Sequence, residues 1–179
     1  MKPDVNYCAY ADQDGVEING GVIESLTPTE YDDILKLSNC TRVRVSQCAI
    51  NPNGGNREDG VDIMRGSHDV VLNECDVGAG AKYAFTIKGG SRDVLLRRVV
   101  ITRPGRWVDI DIGNYSSTVP DAKTGRVVLE SVTRSDGKPV RVRVGFADDP
   151  VVIGGNVTVL RCQSLALKAY VWFRRKFCR

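Results

Sequence analysis

The stretch NREDGVDIMRGSHDVVLNECDVGAGAKYAFTIKGGSRDVLLRRVVI, residues 56–101, contains nearly the same pattern twice. Each half has a short alternating segment, a Gly-Ser turn, a second alternating segment and then a small residue, either Cys75 or Val99. Alternation of apolar and polar residues with a period of two is typical of a half-buried β-strand. The stretch therefore predicts a repeating unit built from short strands.

The repeat extends along the chain in four aligned columns, and the second column has steps of 27, 24, 33 and 30 residues. Self-similarity at a period of about 20–50 residues indicates a solenoid or array. A unit made only of strands excludes helical repeats and favours one coil of a parallel β-helix, in which like residues stack about 4.8 Å apart. The columns are Leu37, Ile63, Ile87, Ile112 and Val144; Val43, Val70, Val94, Val127 and Val157; Val45, Leu72, Leu96, Leu129 and Val159; and Cys48, Cys75, Val99, Val132 and Cys162.

We therefore predict an all-β, single-stranded right-handed parallel β-helix (solenoid) of about six coils, forming one domain over residues 1–179. The coils occupy about residues 15–163. An antiparallel sandwich is the alternative, but it does not require the same position to recur so faithfully.

The two ends of the predicted stack differ. The segment SLALKAYVWFRRKFCR has apolar residues at helical spacing, and we expect residues 164–179 to form a C-terminal cap over the last coil. A basic amphipathic segment for a membrane surface or nucleic acid is the alternative. At the other end GVEINGGVIES resembles an opening coil without a cap, which predicts homo-oligomer contact through that coil or further chain upstream.

Composition limits the functional classes. The chain has 179 residues, 42% hydrophobic residues and a formal net charge of +3, so charge alone does not indicate nucleic acid. No apolar run reaches the roughly 18 residues of a membrane span, and the N-terminus lacks a secretory pattern, which leaves localisation open. Cysteine alternates with valine in the fourth column, and this predicts buried free thiols rather than disulfides or a zinc site.

Turn motifs give the chain a resemblance to a known family over roughly residues 15–163. GVEINGGVIES resembles the first coil of the polygalacturonase branch of the pectin-lyase-like superfamily, and NREDGVDI is similar to its Asn-Thr-Asp-Gly segment. The resemblance implies a parallel β-helix and places the first catalytic aspartate at Asp59. The family's paired aspartates and histidine fall at Ala81, Lys82 and Arg106, so the usual hydrolytic mechanism is not expected. VRVRVG falls about where the family has Arg-Ile-Lys, and the resemblance implies that Arg141 and Arg143 preserve the basic character of that substrate-binding segment.

A different catalytic mechanism could use the same predicted β-helix. The middle residue of each first strand points outward, and these residues are predicted to form a surface column: Lys36, Asp62, Thr86, Asp111 and Arg143. Asp62 and Asp111 stand two coils apart, about 9.6 Å, near the acid–base separation of inverting glycosidases. Solvated charges on a strand face are the alternative. The candidate catalytic residues are therefore Asp59, Asp62 and Asp111.

A lyase would use this surface differently, with a base and a cation that neutralises a uronic carboxylate. Carboxylates at Asp59, Asp62, Asp109 and Asp111 could ligate calcium, but their spacing matches no calcium loop, so no cofactor and no metal site are predicted. Basic and aromatic side chains along the groove are the predicted substrate-binding residues: Lys82, Tyr83, Lys88, Arg106, Trp107, Arg141 and Arg143.

The predicted partner is thus an extended acidic or neutral polysaccharide, with an acidic one preferred, and the prediction includes no nucleic acid and no membrane span. Whether the chain also cleaves that polymer, as a glycoside hydrolase or a polysaccharide lyase on polyuronides, stays open. The alternative function is a non-catalytic structural or adhesive β-helix module of the virion or tail-spike type, in which the same fold provides stiffness.

Overall fold

The computed structural model describes residues 8–24, 33–54, 58–106, 108–114, 123–145, 151–154 and 157–162. Within these ranges every regular element is a strand, and no helix could span a membrane. The predicted C-terminal cap and Trp107 lie outside the described residues. The strands are β1 (Cys8–Ala11), β2 (Glu17–Ile23), β3 (Leu35–Ser38), β4 (Thr41–Ile50), β5 (Val61–Met64), β6 (His68–Asn73), β7 (Asp76–Gly78), β8 (Phe85–Lys88), β9 (Arg92–Arg97), β10 (Val100–Arg103), β11 (Ile110–Asn114), β12 (Val127–Glu130), β13 (Thr133–Arg134), β14 (Val140–Val144), β15 (Val151–Ile153) and β16 (Val157–Cys162).

The chain is an all-β parallel solenoid, as the repeat predicts. One sheet has seven strands in the order β1-β3-β5-β8-β11-β14-β16, and we call it the first sheet. A second sheet has nine strands in two arms, which meet at the long strand β4. Residues 41–46 of β4 pair with β6, whereas residues 49–50 pair with β7, and every pairing is parallel.

The number of coils differs from the predicted six. Three consecutive coils have the full set of three separate strands, namely β5-β6-β7, β8-β9-β10 and β11-β12-β13. The coils on either side have fewer separate strands among the described residues. The sequence overestimates the count because a column of like residues continues into coils in which the structure describes fewer than three separate strands.

The four columns are the core of the solenoid. Leu37, Ile63, Ile87, Ile112 and Val144 are directly paired from coil to coil, and all five are buried. The registers Ala49↔Asp76, Val100↔Asp76 and Val100↔Thr133 place the preceding residues Cys48, Cys75, Val99 and Val132 in one stack. Cys40, Cys48 and Cys75 are buried free thiols, as the alternation with valine predicts for the last two.

The last strand corrects three column assignments. Val157 pairs with Val140 and Val159 with Val142, so both lie in the first sheet rather than in the second and third columns. The residues that follow Val127 and Leu129 in those columns are Val151 and Ile153. Cys162 pairs with Val144 in the first column and not with the Cys/Val stack. The segments VVI and VTV have the same alternation, so the sequence pattern alone does not separate them.

A left-handed residue recurs at the corner between the two arms of the second sheet. Gln47, Glu74, Arg98 and Ser131 have φ values of 53°, 55°, 49° and 56°. Each directly precedes one member of the stack formed by Cys48, Cys75, Val99 and Val132. Because the left-handed region costs an ordinary residue free energy, its recurrence at the same place shows that this corner requires it to turn the chain.

Candidate functional site

The outward column of the first sheet has the predicted register. Lys36 pairs with Asp62, Asp62 with Thr86, Thr86 with Asp111, and Asp111 with Arg143. Asp62 and Asp111 therefore stand two coils apart, about 9.6 Å by strand spacing. The strands place these side chains on one face because alternate residues of a strand point to the same side of the sheet.

The column is not the open surface that the alternation predicts. Asp62 and Thr86 are each 1% exposed and Asp111 is 0% exposed. Asp59, at the turn before β5, is 4% exposed. Alternation shows which way a side chain points from the sheet, but it does not show whether other side chains cover it. All three candidate catalytic carboxylates are consequently buried.

Asp111 is bound by Arg143 from the next coil. Arg143 Nε donates to Asp111 Oδ1 at 2.7 Å, and Nη2 donates to Asp111 Oδ2. The same Nη2 donates to the hydroxyl of Tyr83 at 2.9 Å, and the guanidinium carbon lies 5.4 Å from the centre of the Tyr83 ring. The hydrogen bonds that Arg143 donates to Asp111 raise the pKa of Arg143, which therefore stays charged. These contacts bring together three of the predicted site residues.

A second buried aspartate holds Arg141. Asp109 is 0% exposed, and it accepts a hydrogen bond from the Arg141 backbone N–H at 2.8 Å and from Arg141 Nη2 at 2.7 Å. The hydrogen bond to Asp109 also raises the pKa of Arg141. Arg134 of β13 lies 3.4 Å from Asp109, and the backbone N–H of Gly105 donates to it at 3.1 Å. Sequence reasoning missed Arg134, because no pattern links a two-residue strand of another sheet to this turn.

The third cluster surrounds Asp59 and Asp62. Thr86 Oγ1 donates to Asp59 Oδ2 at 2.5 Å, and the ammonium of Lys88 lies 3.0 Å from Asp62 Oδ2. Asp62 Oδ1 is buried and has no hydrogen-bond partner among the described residues. Asp33, which the sequence analysis did not select, accepts from the backbone N–H of Asp59 at 3.1 Å. Three aspartates from two coils thus share one buried region, in which Lys88 pairs with Asp62 and Lys36 pairs with Asp33.

Burial changes the protonation of this cluster. Loss of water raises the pKa of Asp59 to about 7, although the hydrogen bond from Thr86 lowers it in part. Burial also raises the pKa of Asp62, and the charge of Lys88 opposes this shift. Burial lowers the pKa of Lys88, but the surrounding carboxylates, Asp62 first, more than offset it and the net direction is upward. Asp59 is therefore a carboxyl group that can exchange a proton near neutral pH.

One group of acidic residues has a geometry that could hold a cation. Oxygen atoms of Asp33, Glu58 and Asp59 all lie within 4.8 Å of one another. Lys36 lies 3.1 Å from Asp33, and Lys82 lies 2.5 Å from Glu58, so two of the three carboxylates already have a cationic partner. This group shares only Asp59 with the set considered for calcium from the sequence, whose other members are bound by Lys88, Arg141 and Arg143.

The exposed remainder of the predicted binding surface is basic and aromatic. The side chain of Lys82 is 48% exposed, and its pKa is raised by the hydrogen bond to Glu58. Arg141 and Arg143 are 28% and 30% exposed. Arg106 is exposed, and its backbone N–H donates to the carbonyl of Lys82 at 3.1 Å. Lys82, Arg106, Arg141 and Arg143 therefore face solvent near buried acids, while Lys88 is mostly covered.

A separate depression of about 280 Å³ lies on the outward face of the second sheet, away from these residues. Three arginines line it, and each is paired with an acidic residue: Arg44 with Asp69, Arg97 with Glu130 and Arg98 with Glu74. Because its charges are already matched and lie at the surface, we assign no ligand to it.

No family model, curated protein or solved structure matches this chain. The resemblance to pectin-lyase-like proteins therefore rests on the turn motifs alone. Parallel strands stacked coil upon coil establish the coarser conclusion: the chain is a parallel β-solenoid with a row of buried acids along one face of its first sheet.

Proposed function

We propose that this solenoid binds an extended acidic polysaccharide along the first sheet, on the surface formed by Lys82, Tyr83, Arg106, Arg141 and Arg143. We call this surface the basic groove. The observation that carries the proposal is the anchoring of Arg143. Its Nε and Nη2 are held by Asp111 and Tyr83, while Nη1 has no hydrogen-bond partner among the described residues.

Anchoring matters because binding usually costs the entropy of ordering long side chains. Arg143 and Arg141 are already fixed from below by Asp111 and Asp109. A guanidinium held this way offers its remaining N–H groups to a ligand at little further cost. Planar guanidinium groups match the geometry of carboxylates, which favours uronic acids over neutral sugars.

The scaffold suits a polymer. Stacked coils repeat the same strand position about every 4.8 Å, so binding groups from several coils line up along the solenoid axis. Tyr83 is partly exposed, and its ring offers an apolar face beside Arg143, where a sugar ring could stack. Charge, hydrogen-bond donors and an aromatic face are the features that a charged glycan would use.

Cleavage of the bound polysaccharide requires more than these residues provide. Asp59, with a pKa of about 7, has the protonation behaviour of a general acid. It is 4% exposed, however, and Asp62 and Asp111 are bound by Lys88 and Arg143. Burial and pairing of the carboxylates favour binding without cleavage. The same observation supports the second candidate function, a structural or adhesive module in which the ion pairs only stabilise the stack.

The experiment that tests the proposal uses a panel of polyuronides and a neutral glycan, with and without calcium. Binding to polyuronides without new reducing ends or ultraviolet absorbance is the expected result. New reducing ends alone would indicate a hydrolase, and added absorbance a lyase. Absence of binding to every acidic glycan would overturn the proposal and leave the structural module.

A further inference from the structure

The two sheets differ in the sequence of their strands. In the second sheet β6, β9 and β12 contain three consecutive apolar residues, in the segments VVL (70–72), VLL (94–96) and VVL (127–129). The matching segments of the first sheet, VDI, FTI and IDI, have a polar residue in the middle. The outer residues of every segment are buried in the core, so the middle residue points outward. Parallel strands with continuous apolar segments are typical of a sheet that is covered on both faces.

The middle residues of these segments form one contiguous surface, which we call the apolar stripe. Val71 pairs with Leu95, and Leu95 pairs with Val128, so three apolar side chains stack about 4.8 Å apart along the solenoid axis. All three are partly exposed. Single apolar residues on a surface are common, but a contiguous apolar patch with a polar rim is a feature of interaction sites.

Charged residues flank the apolar stripe in two columns, and each column has one positive and one negative residue in adjacent coils. On one side Arg97 pairs directly with Glu130. On the other side Asp93 and Arg126 occupy equivalent positions, directly before the VLL and VVL segments. The four side chains are 38–63% exposed, so a partner can reach them. A half-turn about an axis along the strands, midway between β9 and β12, exchanges the two coils and therefore reverses the order of signs in both columns.

We infer that the apolar stripe is the interface of a homodimer, in which two copies of this chain pack face to face with antiparallel solenoid axes. The half-turn places Leu95 opposite Val128 of the partner subunit. It also places Arg97 opposite the partner's Glu130, and Asp93 opposite the partner's Arg126. Burial of the stripe supplies the hydrophobic free energy, and the charges fix the register. The contact uses the same patch on both copies, so it closes as a dimer, and it does not involve the basic groove.

The position of Arg44 favours the antiparallel arrangement over a parallel one. Arg44 pairs with Val71 and so precedes the apolar stripe in the same column. A parallel two-fold contact would also match the flanking charges, but it would place Arg44 opposite its own copy, and like charges in contact are unfavourable. In the antiparallel dimer the two Arg44 residues stand five coil spacings apart, about 24 Å along the axis.

The test reverses one charge of the interface at a time in the full chain, and sedimentation velocity over a range of concentrations measures dimerisation. Arg97→Glu and Glu130→Arg each place like charges opposite each other twice in a homodimer. We expect each variant to dimerise at least about tenfold more weakly than the wild type. Lys138→Glu and Asp76→Arg are the matched controls, because they change net charge by the same amounts on exposed residues outside the stripe. Both controls should dimerise like the wild type.

Mixing the two interface variants tests the arrangement itself. In a mixed antiparallel dimer of Arg97→Glu with Glu130→Arg, opposite charges face each other again at both positions, so the affinity should return to nearly that of the wild type. A parallel dimer would not be restored, because each changed residue would then face a like charge at Asp93 or Arg126. A wild type that is monomeric at every concentration, interface variants no weaker than the controls, or a mixture that gains no more than a mixture of the two controls would each overturn the inference.

Discussion

Arg143 and Asp111 occupy paired positions on adjacent strands, and the guanidinium of one covers the fully buried carboxylate of the other. Removal of one member of a buried pair leaves an uncompensated charge and typically costs about 3–5 kcal/mol. Arg143→Ala should therefore reduce the free energy of unfolding by about this amount, measured by urea denaturation.

Arg126→Ala is the control for that substitution. Arg126 also pairs with an aspartate, Asp93, but its side chain is 63% exposed, and an exposed pair contributes about 1 kcal/mol or less. Replacement of both the Arg143 and the Asp111 side chains should restore part of the free energy of unfolding that Arg143→Ala loses, since no buried charge then remains unpaired. Equal small losses for the two arginine variants would contradict the account.

The raised pKa of Asp59 makes stability depend on pH. The folded value of about 7 lies above the reference value of 3.8, so the folded state favours the protonated form. The contribution to stability is complete below pH 3.8 and is lost as pH rises towards 7, by about 4–5 kcal/mol at about 1.4 kcal/mol per pKa unit. Asp59→Asn should therefore become more stable relative to the wild type as pH rises through this range. The difference in free energy of unfolding between Asp59→Asn and the wild type should therefore vary with pH. A constant difference, or the same pH dependence in the exposed control Asp76→Asn, would be inconsistent with a buried acid at Asp59.

The cysteine stack predicts protected thiols. Burial raises the pKa of Cys75 to about 11, so its reactive thiolate is scarce at neutral pH. Cys48 and Cys75 should react with a thiol reagent only after denaturation, and disulfides in the mass spectrum of the native protein would refute this. Cys75→Ala should lower the free energy of unfolding by about 1–2 kcal/mol, because packing contacts are lost. Cys75→Val should lower it by less, since Val99 and Val132 fill the equivalent positions.

A close backbone approach makes Gly78 sensitive to substitution. A Cβ atom at this position would collide with the carbonyl oxygen of Asn51 in the preceding coil. Gly78→Ala should force the two coils apart and destabilise the fold by about 1–3 kcal/mol, measured by thermal unfolding. Gly154→Ala is the control, because a Cβ there meets its nearest atom, Leu129 O, at 3.5 Å. Similar losses in both variants would show that lost glycine flexibility, rather than the contact, is the cause.

The periodic part of the fold can be predicted from sequence, because stacking places like residues on like positions. Ile63, Ile87 and Ile112 pair directly, and the outward residues Asp62, Thr86 and Asp111 follow with the same register. What covers each position cannot be predicted in this way. Burial of Asp62 and the contact of Arg134 with Asp109 depend on side chains that are distant in sequence.

Corners are equally difficult to predict. Gln47 and Glu74 adopt left-handed conformations, but neither residue type signals a turn, so the bend in β4 has no local sequence marker. The last coil shows the same limit, because the alternation in VVI and VTV fits either sheet. Only the pairing of Val157 with Val140 assigns that strand.

The most direct measurement for the central claim is calorimetric binding of polygalacturonate oligomers to the wild type, Lys82→Ala, Arg143→Lys and Arg126→Ala. Arg143→Lys keeps the charge over Asp111 but loses the planar donor group, so it separates ligand recognition from stability. The account predicts salt-dependent binding that weakens in the Lys82 and Arg143 variants and is unchanged in Arg126→Ala. No binding by the wild type, or equal affinity for all four proteins, would contradict it.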